Sequence, residues 1–129
     1  MTNTLILRVA LAITMLAHGV PSIITGSVNE FGTLYLDKVG FSPFGLFLAW
    51  GIKLSHVACA GCLIFDKYVK PAAIITIFIL VVGIIMIHFR EGWFVVGGGR
   101  NGMEFNVLLI MVFLALIFPK GFSKSASTN

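Results

Sequence analysis

Apolar runs long enough to cross a bilayer recur four times along these 129 residues. They extend from about Thr4 to Val20 or Thr25, from Pro43 to Phe65, from Pro71 to His88 and from Met103 to Phe118. A helix needs roughly 17–25 residues to traverse the hydrocarbon, and each run is of that order. The runs are continuously apolar and lack the alternation of a lipid-facing strand, so helices are expected and a barrel is not. A hydrophobic fraction of 58%, a mean hydropathy of +1.03 and only 11% charged residues leave too little polar surface for water. The expectation is an all-α, polytopic membrane protein. Residues 1–129 would form one antiparallel four-transmembrane-helix domain with a polar tail at 119–129, and its first partner would be the lipid bilayer.

Prolines and glycines punctuate the runs. Pro21 has no N–H and its ring crowds the carbonyl of Ala17, so the first helix is expected to end or kink after His18-Gly19. Residues 22–42, with Gly26, Gly32 and Gly40, read as a connector whose aromatic stretch Phe31–Phe44 lies in the headgroup region. The link Asp66–Lys70 is short, which makes the second and third runs an antiparallel hairpin. Pro43 and Pro71 stand at run starts, where a missing N–H is harmless.

The net charge of +4 could suggest a nucleic-acid binder. Such a binder gathers Lys and Arg on one face, whereas here they stand singly at the ends of apolar runs, so no nucleic-acid partner is expected. Arg8, Lys67, Lys70, Lys120 and Lys124 fall on one side and Lys38, Arg90 and Arg100 on the other. The bias places both termini in the cytoplasm and the 88–106 stretch outside. Residues 1–25 read as a first span and not a removed leader, because Arg8 interrupts the apolar region and no A-x-A site follows.

Ionisable groups inside spans are costly, at about 2.5–3.5 kcal/mol for a central Lys or Asp on insertion scales, so each calls for a partner or a role. Arg8 lies early in the first run, where its long stem can snorkel to the near interface. His18, Lys53, His56, His88, Arg90 and Glu104 behave differently. Alternating chain direction carries all six to the outer half of the bundle, where they are the candidate lining of a polar pocket. Lys53 and His56 share a face at i and i+3. Glu104 sits in a first helical turn, which also suits a carboxylate against the helix dipole. A direct or water-mediated Lys53–Glu104 pair would neutralise both charges.

Other motifs carry less. Gly97-Gly98-Gly99-Arg100 lacks the Lys-Ser/Thr and the preceding strand of a phosphate loop. Cys59 and Cys62 have dithiol spacing but fall late in an apolar run, not at a helix N-terminus, so they read as small packing residues. Zinc spacing is absent and no metal site is expected. His18 and His88 could stand at similar depth, yet no histidine pair is spaced to demonstrate haem ligation, so haem is disfavoured.

Arg8 near the start of the first run and Ala17-His18-Gly19 at its end resemble the DoxX family of small four-helix bacterial membrane proteins. Leu48-Ala49-Trp50-Gly51 and the glycine-rich loop leading into Gly102-Met103-Glu104-Phe105 are similar to that family as well. The resemblance implies a four-helix inner-membrane bundle tied to quinone-coupled sulfur oxidation and to membrane redox complexes that counter oxidants. Quinone is the cofactor it implies. Two positions depart from the family pattern: Ser22 stands where a Lys is usual, and Lys53 where a Glu is usual. A subunit of a quinone-linked or sulfur- and oxidant-related oxidoreductase system is therefore the first expectation. A non-catalytic small subunit against a larger membrane complex is the second, with a homo-oligomer as another assembly, and a small-solute carrier is the third.

Overall fold

The computed structural model describes residues 4–97, 99 and 101–121. Arg100 and Lys124, used above for topology, and most of the polar tail lie outside the described residues. Every regular element among the described residues is helical. Three helices are long and apolar enough to cross a membrane: α1 (Leu5–Thr25), α3 (Gly45–Phe65) and α4 (Val69–Met86). A short α2 (Ser27–Glu30) and a wide π-type helix (Phe31–Phe41) join α1 to α3. A 3-10 turn (His88–Glu91) follows α4, and α5 (Glu104–Ile117) closes the order.

Several boundaries differ from those expected. Helix α1 runs through Pro21 and stops only at Gly26, whose φ of 77° gives the left-handed cap that a residue with a Cβ resists. The fourth run yields 14 helical residues, about 21 Å at ~1.5 Å per residue. That is shorter than the ~30 Å hydrocarbon core, because Phe118 leaves helical geometry ahead of Pro119. The connector is no irregular strap. It is helical over most of its length and packs on α3, burying Val28 and Leu36 against Ala49. Contact is close because Gly32 and Gly45 face each other without side chains, and an added Cβ at Gly32 would lie 2.6 Å from the Leu46 Cα. Asp37 Oδ1 completes the joint by accepting the Gly45 N–H at 2.8 Å, one of the donors an α-helix leaves open at its start.

The four long elements pack in a ring, α1 on α3, α3 on α4, α4 on α5 and α5 back on α1. The two ends of that ring differ. At the end holding the start of α1 and the close of α3, Leu11, Met15, Cys59, Ala60, Leu63, Ala73, Phe113 and Leu116 form a continuous apolar core. At this end Arg8, only 6% exposed, donates from Nη1 to the Leu63 carbonyl at 2.9 Å and lies 3.6 Å from Asp66 Oδ2. It does not snorkel to open water; it caps the last turn of α3, where carbonyls lack intrahelical partners and the dipole favours a cation. The other end of the ring is hollow.

Candidate functional site

The hollow end follows from chain direction. Helices α1 and α4 lead to it with His18 and His88 late or just beyond, while α3 leaves it with Lys53 in its first half and His56 near its middle. These four side chains line one cavity of about 480 Å³, within the ~300–1,000 Å³ usual for small-molecule sites. Met15, Ile52, Phe78 and Leu109 supply apolar wall from the helices. Phe31, Leu36 and Phe41 supply it from the connector, whose aromatic stretch is expected in the headgroup region and instead faces the cavity. The signal available for that wall was the aromatic spacing of 31–44 beside its paired glycines.

His56 is the most buried of the ionisable groups on the cavity wall. It is 8% exposed, and neither ring nitrogen has a hydrogen-bond partner. Buried polar atoms are paired in the great majority of cases, so an imidazole without a protein partner on a cavity wall marks a place where a polar group can be received. Lys53, one turn away on the same face, donates from Nζ to the His18 carbonyl at 3.1 Å and stands 5.2 Å from the centroid of the Phe31 ring. Both contacts suit an ammonium without neutralising it. The approach of α1 to α3 that allows them depends on Gly19, where a Cβ would lie 3.0 Å from Val57 Cγ2 and 3.1 Å from the Lys53 carbonyl oxygen. The His18 ring leans on Phe105 of α5, with centroids 5.9 Å apart.

His88 is held by its loop. Its Nδ1 lies 2.7 Å from the Asn101 carbonyl oxygen, which can only accept, so Nδ1 donates and leaves Nε2 facing away from that bond. The Nε2 atom and the Asn106 amide both sit over Gly83, and that amide is 3.5 Å from the Leu80 carbonyl. Polar groups on α3 and the His88 ring beyond α4 therefore face one apolar space.

Two predicted lining residues are elsewhere. Arg90 is exposed in the 3-10 turn and is not part of the cavity wall. Glu104 organises the loop instead: its Oε1 accepts the N–H groups of Val95 and Val96, each at 2.8 Å. Its own N–H donates to Trp93 at 3.0 Å, and Met103 donates to Gly92 at 3.1 Å. No direct Lys53–Glu104 pair forms. A carboxylate at the start of α5 meets the open N–H groups of its own loop first, and Lys53 turns to α1. Glu104 thus acts on the cavity through the loop, which contributes Val95, Asn101 and Gly102 to its wall. Neither Cys59 nor Cys62 reaches the cavity; both border a separate recess with Ser55 and Tyr68. Among the described residues no group of three or more His, Cys, Asp or Glu is arranged to hold a metal ion.

The DoxX family model matches residues 3–89, well over half of the chain. The protein belongs to the DoxX family. No curated protein and no solved structure matches it. The matched region contains His18, Lys53, His56 and His88 and stops short of Arg90 and Glu104.

Proposed function

We propose that this DoxX protein is a multi-pass inner-membrane component of a quinone-linked or sulfur- and oxidant-related redox system, acting as one domain with both termini in the cytoplasm. The cavity would hold the reacting head of a quinone or a small sulfur species. The observation that carries this reading is His56, nine-tenths buried with two unpartnered ring nitrogens on the wall of an apolar cavity. A quinone head suits such a wall. Its carbonyl oxygens would accept from Lys53 and His56, its reduced hydroxyls could donate to His88 Nε2, and its tail would lie against the Phe31 and Phe78 side. When bound, a quinone supplies two-electron redox chemistry; the residues of this chain bind it, orient it and exclude water.

The test is equilibrium binding of decylubiquinone to the purified protein in phosphatidylcholine nanodiscs, read together with thermal stabilisation. Saturable binding that is lost in His56→Phe is expected. Absent binding, or binding unchanged in His56→Phe, overturns the reading. Orientation is tested by labelling Gly97→Cys on a background with both native cysteines replaced. Modification from outside the cell is expected, and modification only from the cytoplasm reverses the topology. Much of the lipid-facing surface of α4 is also open to a second subunit, so co-purification from native membranes of a stoichiometric larger partner would favour the non-catalytic reading.

A further inference from the structure

The charge of the cavity wall selects more narrowly than its shape. Its ionisable lining is Lys53 with His18, His56 and His88, and among the described residues on the wall none is Asp or Glu. Lys53 has no carboxylate within 4 Å among the described residues, and its one hydrogen bond goes to a carbonyl. Lys53 and His18 are titratable neighbours of His56 on the same wall, and the two ring nitrogens of His56 have no partner. A cation set in low-dielectric surroundings attracts an anion strongly, and charge-assisted hydrogen bonds to oxyanions are about twice as strong as neutral ones. Lys53 and His56 stand one turn apart on one helix face, so two oxygens of one head could each meet a donor. The remaining wall, Phe31 and Ile52 among it, suits an alkyl chain.

From these observations we infer that the cavity is a binding site for an amphiphilic oxyanion: a monoanionic oxygen head held by Lys53 and His56, with its hydrocarbon chain against the apolar wall. This goes beyond the redox reading and does not rest on it. Free fatty acids and anionic phospholipids both present such a head.

The experiment uses the full-length protein in phosphatidylcholine nanodiscs and three probes of equal chain length: dodecanoate, dodecanol and dodecylammonium. Dodecanoate is expected to bind roughly tenfold or more tightly than dodecanol, the difference one charge-assisted hydrogen bond provides. Dodecylammonium is expected to bind weakest. Lys53→Met should erase the preference for dodecanoate and Lys53→Arg should keep most of it, so loss of charge is separated from loss of fold. Equal affinity for dodecanoate and dodecanol in wild type, or an unchanged preference in Lys53→Met, overturns the inference. Decylubiquinone in the same assay separates the two proposals: binding of the quinone without dodecanoate sinks the oxyanion site alone, and the reverse sinks the quinone reading alone. Replacing part of the lipid with phosphatidylglycerol identifies the source of the head. Displacement of dodecanoate assigns it to a membrane lipid and undiminished binding assigns it to a free fatty acid; either result upholds the site.

Discussion

Each end of the bundle contains a cation, and the fold treats the two differently. Arg8 is 6% exposed and meets both a helix-terminal carbonyl and the Asp66 carboxylate. Lys53 is half-buried, bonded to one carbonyl, and borders a cavity that also contains an orphaned imidazole. Around Arg8 the helices are in close apolar contact, while Lys53 borders a cavity walled in part by the connector and the loop. A cation completed by its own chain is a structural joint. One left short of a counter-charge beside a hollow is available to something from outside.

The largest effect should come from breaking the joint. Arg8→Met removes a charged hydrogen bond from the end of α3 and separates Asp66 from its cation. A lost hydrogen bond to a charged group and incomplete repacking together cost about 2–4 kcal/mol. Asp66 is half exposed and hydrated, so its share of that loss is small. Denaturation in maltoside, followed by circular dichroism, is the measurement. A loss below about 1 kcal/mol would mean that Arg8 snorkels after all and that the two cations are alike.

Gly19 tests the seam between the two ends. Gly19→Val places atoms where the Lys53 carbonyl and Val57 already lie at contact distance. Overpacking of this kind costs about 1–3 kcal/mol, and it should also weaken ligand binding by pushing α3 and Lys53 away from α1. Lowered stability with ligand affinity intact would show that the seam does not set the position of Lys53.

A more local effect is expected from Glu104→Gln, which keeps the shape but removes the charge that gathers two loop N–H groups. Amide hydrogen exchange at Val95 and Val96 should accelerate while exchange along α4 stays unchanged. No change at those two amides would return Glu104 to the dipole role that its position alone suggested.

The sequence made the membrane class legible, and in part the site as well. Run lengths and alternating direction suffice to bring His18, Lys53, His56 and His88 to one end, because depth along a spanning helix follows from residue count. Lateral detail was not readable in the same way. Whether α1 passes through Pro21 depends on what surrounds that turn, and here Gly19 admits α3 and Lys53 engages the neighbouring carbonyl. The connector became a wall because Gly32 and Gly45 allow backbones to meet, a tertiary fact that aromatic composition does not reveal. The Glu104 partners lie eight and nine residues away in its own loop, and no periodicity marks loop geometry.

The smallest stability change should come from Lys53→Met. Replacing an embedded charge by an apolar side chain of similar length is often neutral or stabilising, because the desolvation cost of the ion is removed with it. What is lost is one hydrogen bond to the His18 carbonyl and a contact with the Phe31 ring, and the carbonyl belongs to a helix that otherwise persists. These contributions oppose each other, so the net change should fall within about 1 kcal/mol of zero. The same denaturation assay as for Arg8→Met measures it, run without added ligand. A loss equal to that of Arg8→Met would make Lys53 a second joint, with the His18 carbonyl as its purpose. A near-zero change, set beside a large loss of ligand affinity in the same variant, would mean that the bundle tolerates Lys53 for what binds there and not for how the helices pack.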